Sequence, residues 1–114
     1  MNYYSLHHQP PITDFRNATI QGQAPDGGLY FPESIPPLNR EWITNLKNVS
    51  REEIAFQVIR PYTGNTIPEE ILRKIVAETI DFPIPLRKIH DNYYSLELFH
   101  GPTLAFKDIG ARFM

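Results

Sequence analysis

Cysteine is absent from the 114 residues, and that absence removes disulfide frameworks, thiolate metal sites and thiol nucleophiles together. No apolar run approaches membrane-spanning length. The stretch from Met1 to Pro11 is polar and aromatic, with no basic segment leading into an apolar core. A cytoplasmic chain that makes no membrane contact is therefore expected. Excess charge of one sign is missing too: 11 Lys and Arg stand against 13 Asp and Glu, and the basic residues are scattered rather than striped. Nucleic acid is consequently not an expected partner. The four His residues, at 7, 8, 90 and 100, have no ligand-like spacing, so no metal is expected.

What is present is ordinary globular material, 41% hydrophobic and 21% charged, enough for one compact unit plus an appendage. Prolines and glycines punctuate it. Thr13 is expected to cap a short helix that stops at Gly22. Pro25-Asp26-Gly27-Gly28 is a turn, because glycine accepts positive φ. Leu29-Tyr30-Phe31 then suits a strand, with Tyr3-Tyr4 as its pairing partner. Asp26 and Tyr30 are expected to shape this turn rather than to meet a substrate. Asn39 caps a helix carrying Trp42, Ile43 and Leu46. Ser50 and Glu53 form a capping-box pattern ahead of Ile54, Val58 and Ile59. Pro61 is expected to end that helix and Gly64 to turn the chain. Thr66 with Glu69 repeats the cap pattern around Pro68, and Ile71, Leu72, Ile75, Val76 and Ile80 follow as a stripe of helical period that must be buried.

From Asp81 the texture changes. Phe82-Pro83-Ile84-Pro85 reads as an extended linker. Leu86–Ile89 and Tyr93–Leu98 flank His90-Asp91-Asn92 as a hairpin. The pentapeptide Asn-Tyr-Tyr-Ser-Leu stands at 2–6 and again at 92–96, and one match without a period is no repeat architecture.

The run from Phe99 to Asp108 carries the chemistry. It leaves a strand, passes a Gly-Pro turn, and sets a hydroxyl, a lysine and a carboxylate among apolar residues. Lys107, flanked by Leu104, Ala105, Phe106 and Ile109, is expected in a desolvated pocket, where the ammonium is disfavoured and the amine becomes a nucleophile. Schiff-base lysines need such surroundings. Thr103 is a candidate contact to a cofactor or substrate, against the competing reading of a local turn contact. His100 is a candidate for proton transfer or phosphate contact, against a structural role. Asp108 is expected to cap the helix that begins after Lys107.

Leu96 through Asp108, followed by Gly110-Ala111-Arg112-Phe113-Met114, resembles the PLP-lysine segment of threonine synthases of the bacterial and fungal type. Gln21-Gly22 with Ala24 through Glu33 resembles that family's N-terminal signature, and the likeness runs from Met1 to Met114. One departure is Leu6-His7-His8, where many members have a Thr-Arg-like pair. The resemblance implies a fold-type-II enzyme dependent on pyridoxal 5'-phosphate (PLP), a lyase of threonine biosynthesis. It would convert O-phospho-L-homoserine and water to L-threonine and phosphate. Lys107 would be both the cofactor anchor and the proton-moving base, with Thr103 a lesser cofactor contact and His100 a lesser substrate contact.

The expected fold class is α+β. A small helix-rich N-terminal domain with a short strand pair, residues 1–80, precedes the first strands of the α/β PLP domain, residues 81–114. A glycine-rich phosphate cup is not found in the sequence, nor is the segment that would hold the pyridine nitrogen. The chain is therefore expected to be a truncated N-terminal portion, inactive alone, with apolar surface on 81–114 awaiting the remainder of the catalytic domain. Two other readings compete: another fold-type-II lyase or dehydratase, or a non-catalytic interaction module.

Overall fold

The computed structural model describes residues 1–114. The chain forms two compact units, Met1–Leu72 and Arg73–Met114. In the first, β1 (Asn2–Ser5) is the central strand of an antiparallel sheet, between β2 (Thr13–Asp14) and β3 (Tyr30–Pro32). Tyr4 stands opposite Phe31 and Ser5 opposite Tyr30, the pairing the aromatic runs predict. The sheet is one strand larger than the expected pair, because Thr13 is drawn into register with Tyr3. For the same reason Thr13 does not cap α1 (Phe15–Gln21). Asp14 does, accepting from the Asn17 N–H at 2.8 Å, and Gly22, at φ 69°, stops the helix as expected.

Alternation along β1 turns Tyr3 and Ser5 inward, at 9% and 0% exposure. The Tyr3 ring meets Phe15 at 6.0 Å between centroids, and its hydroxyl donates to the Tyr62 carbonyl at 2.9 Å. Burial first, and the neighbouring Tyr62 second, push the Tyr3 phenol above its ordinary range. Ser5 donates to both carboxylate oxygens of Asp26, at 2.7 and 2.9 Å, while Gly28 N–H donates to the same carboxylate at 2.9 Å. This shapes the Asp26 turn, with Gly27 at φ 77°. Leu6-His7-His8 forms the turn that closes β1: His8 N–H donates to the Ser5 carbonyl at 2.9 Å, and its ring stacks on Tyr4 at 4.9 Å.

Helix α2 (Arg40–Thr44) is capped by Asn39, whose side chain accepts from the N–H groups of Glu41 and Trp42. A 3-10 turn at Leu46–Asn48 leads on to α3 (Arg51–Thr63), capped by Ser50 through the Glu53 N–H at 3.1 Å. Two expectations fail here. The helix runs through Pro61 to Thr63 and stops only at Gly64, since a proline in the last turn forfeits one hydrogen bond and the end survives it. Its buried residues are Phe56 and Thr63, not the Ile54, Val58, Ile59 face, and Val58 is 41% exposed. At the end of α3 the Thr66 hydroxyl donates to the Thr63 carbonyl at 2.6 Å.

Helix α4 (Glu69–Thr79) buries Leu72 and Val76, at 1% and 3% exposure, and Ile80 follows at 8%. Ile71 is 44% exposed, so the stripe is narrower than the sequence suggests. In the second unit β4 (Leu86–His90) and β5 (Tyr93–Leu96) form the expected hairpin, turned by Asp91 at φ 38° and bulged between Lys88 and His90. Every residue of β4 is exposed. The chain ends in α5 (Asp108–Phe113), tied within its unit by Arg112, whose Nε donates to the Glu78 carbonyl at 3.0 Å and whose Nη2 meets Asp81 at 2.8 Å. No helix is long and apolar enough to cross a membrane.

Candidate active site

Lys107 is the residue at which α5 begins, and the loop before it is built in two steps. Leu104 N–H donates to the Gly101 carbonyl at 3.1 Å, and Asp108 N–H donates to the Ala105 carbonyl at 3.1 Å. Between these turns Leu104 takes φ 57°, a left-handed conformation that costs a leucine about 1–3 kcal/mol. The Lys107 side chain is exposed, as are Leu104 at 76% and Phe106 at 65%. The desolvated pocket expected around Lys107 is therefore not formed by these residues. Leu104 and Phe106 point to the surface while Ala105 and Ile109 are half-buried, because a six-residue helix and a tight loop bring little to cover them.

Asp108 is buried, at 4% exposure. Its carboxylate does not cap α5 as expected but reaches backward, accepting the Thr103 N–H at 3.0 Å and the Thr103 hydroxyl. The Thr103 hydroxyl holds the carboxyl below its ordinary range; burial opposes this, and the N–H groups of Thr103 and Ala105, with the Arg112 charge, add to the lowering. Gly101 is buried against the same group, and a Cβ there would fall 2.8 Å from Asp108 Cβ. Thr103 thus makes the local contact that the sequence set beside a ligand role. With its one hydroxyl proton given to Asp108, it can only accept from a ligand. His100 is half-buried, its Nε2 2.7 Å from Glu97 and its ring 4.7 Å from Phe99. That carboxylate counters the approach of an anion such as phosphate.

The structure thus gathers Thr103 and Lys107 on one loop, with His100 immediately before it in the chain. Sequence reasoning missed two partnerships there, Glu97 with His100 and Asp108 with Thr103. An acid three or five residues from its partner is too common a spacing to stand out. A glycine ahead of Pro102 was the one available sign of a close approach. A groove of about 560 Å³ lies in the first unit between Leu38, Trp42, Asn45 and Pro61, and Glu41 is the one titratable side chain lining it. It holds none of the candidate residues.

Residues 2–80 match the family model described as the threonine synthase N terminus. Threonine synthase from Haemophilus influenzae is 42% identical over 114 residues, covering 100% of this chain and 26% of that protein. The crystal structure of PLP-bound threonine synthase from Brucella melitensis superposes with a TM-score of 0.90 at 40% identity, over 100% of this chain and 26% of that one. Threonine synthase from Escherichia coli gives a TM-score of 0.90 at 34% identity, over 99% of this chain and 26% of that chain. The chain spans about a quarter of the length of the relatives it matches. On the matched N-terminal model, and on likeness along its whole length, this chain belongs to the threonine synthase family.

Proposed function

We propose that this chain is the N-terminal portion of a PLP-dependent threonine synthase, which converts O-phospho-L-homoserine and water to L-threonine and phosphate. The observation that carries the reading is the family match over 2–80, joined to a loop that presents a primary amine, Lys107, at the head of a short helix. In this reading residues 1–80 are the family's N-terminal domain and residues 81–114 are the start of a fold-type-II catalytic domain. The family match favours it over another fold-type-II lyase and over an interaction module.

The residues present fit a PLP site in one respect, the exposed Lys107 amine, which is the group that would hold the cofactor. When bound, PLP supplies an electron sink for carbanions at the substrate's carbons. Lys107 Nζ would hold and return the protons that move at those carbons. Thr103 orders the backbone ahead of Lys107 and offers a ligand only acceptor capacity. His100 keeps Nδ1 for a substrate contact while Glu97 orients its ring. The 114 residues alone are inactive in this reading, since the phosphate-binding and pyridine-binding groups are contributed elsewhere.

Titration with PLP, followed by borohydride trapping and peptide mapping, tests this in the full-length protein and in the 114-residue chain. A specific adduct at Lys107 in the former, lost in Lys107→Ala, and none in the latter, is the expected outcome. A folded full-length protein without an adduct at Lys107 would sink the assignment at its central residue.

A further inference from the structure

Asp108 has features that the proposed role of Lys107 leaves unexplained. It is charged, buried and adjacent in sequence to the amine, yet its carboxylate faces away from solvent and gives both oxygens to Thr103. Neither of those bonds runs forward into α5, so the carboxylate is not serving the helix. It closes residues 103–108 into a ring. Two further observations show how tightly the ring is held. Leu104 keeps a left-handed backbone while its side chain, 76% exposed, has little packing to hold it there. Gly101 sits so close to the carboxylate that a Cβ would lie 2.8 Å from Asp108 Cβ and 2.9 Å from Cγ. A non-glycine residue in a left-handed conformation persists where its surroundings over-determine it.

We propose that Asp108 is a positioning residue for Lys107: its buried carboxylate clamps Thr103 and so fixes the backbone from which the lysine amine projects. The inference rests on the reading of Lys107 as the cofactor lysine. Asp108 touches neither cofactor nor substrate, and it acts through the ring. An ionised carboxylate is acceptor-only, which suits two donors from one residue, whereas an amide in its place would set its own N–H groups against them. Thr103 belongs to the same device, which accounts for a hydroxyl committed inward on an otherwise exposed residue. The benefit is angular: a reacting amine displaced by about 1 Å loses rate by about a hundredfold.

The test uses the full-length protein and compares wild type with Asp108→Ala, Thr103→Val and the double variant. Three quantities are read: amide hydrogen exchange over 101–108 in the apoprotein, the rate of borohydride-trappable PLP attachment at Lys107, and the pH midpoint of the visible band of the loaded protein. Asp108→Ala is expected to speed exchange in that segment alone, to slow attachment by about tenfold to a hundredfold, and to move the pH midpoint. Thr103→Val, which keeps the N–H bond, is expected to do the same to a smaller degree. The double variant is expected to match Asp108→Ala, because both changes remove one network. A folded Asp108→Ala protein with wild-type attachment rate and midpoint overturns the proposal, and so do independent, additive effects. Should Asp108→Ala not fold, Thr103→Val decides: slower attachment at an unchanged unfolding temperature supports the clamp, and unchanged attachment overturns it. Absence of any Lys107 adduct in wild type is a different failure, that of the cofactor-lysine reading itself.

Discussion

Asp26 and Asp108 show at the scale of single residues how a carboxylate can organise a loop without capping a helix. Asp26 ties the Pro25–Gly28 turn to β1 through Ser5, and Gly28 must be glycine because a Cβ there would overlap the Ser5 hydroxyl and lie 3.0 Å from Asp26 Oδ1. Gly28→Ala is expected to cost about 1–3 kcal/mol of overpacking, read as a lower urea midpoint at unchanged slope. Desolvation raises the Asp26 carboxyl, but hydrogen bonds from the Ser5 hydroxyl and the N–H groups of Gly28 and Gln9, with the His7 charge, outweigh it and leave the carboxyl below its ordinary range. A folded value below the unfolded one, about 3.9, contributes stability that is complete above pH 3.9 and lost as pH falls through the folded value. Asp26→Asn is therefore expected to flatten that part of the acid unfolding curve, measured by circular dichroism as pH falls below about 4. The turn was legible from its glycines. Its partner was not, since Ser5 reaches Asp26 only after the β1–β3 pairing brings residues 21 apart together.

Among the elements, α4 separates what periodicity can and cannot decide. Its five apolar positions guarantee a helix with a buried side, but not how wide the buried strip is. The fold admits Leu72 and Val76 and leaves Ile71 44% exposed. Leu72→Ala is expected to cost about 2–5 kcal/mol, whereas Ile71→Ala is expected to stay within about 0.5 kcal/mol; chemical denaturation of the two variants checks the contrast. If Ile71→Ala cost as much as Leu72→Ala, the assigned face would be wrong. Caps followed the same logic. Asn39 and Ser50 cap as their sequences predict, because a cap needs only the N–H groups two or three residues ahead. Thr13 does not, because a strand partner took it first and left the cap to Asp14. Pro61 did not terminate α3, since a proline in the last turn forfeits only one hydrogen bond and the helix continues to the buried Thr63.

The whole molecule leaves apolar surface on its second unit: Leu86 is 62% exposed, Ile89 71%, Tyr93 72% and Phe106 65%. Surface of that kind favours association. The isolated chain is expected to bind a hydrophobic dye and to sediment faster as its concentration rises, and the double change Ile89→Lys with Tyr93→Lys is expected to suppress both; sedimentation velocity unaffected by concentration would count against the reading. Asn-Tyr-Tyr-Ser-Leu shows where the division between sequence and structure falls, because the same five residues occur twice. In both copies the shared Tyr-Tyr-Ser lies in an antiparallel strand, as aromatic propensity and flanking turns favour. In the first copy Tyr3 and Ser5 are buried, yet in the second Tyr93 and Tyr94 are exposed. Sequence by itself determined the mixed α+β class, the helices, the pairing of β1 with β3, the β4–β5 hairpin and the turn at Asp26. These depend on local propensity, capping and residue identity. Tertiary structure alone decided which face of each element is covered, which acid meets which hydroxyl, and that Lys107 stands exposed behind a buried Asp108. Burial and long-range hydrogen bonding depend on what packs alongside, and two identical pentapeptides carry no information about their neighbours.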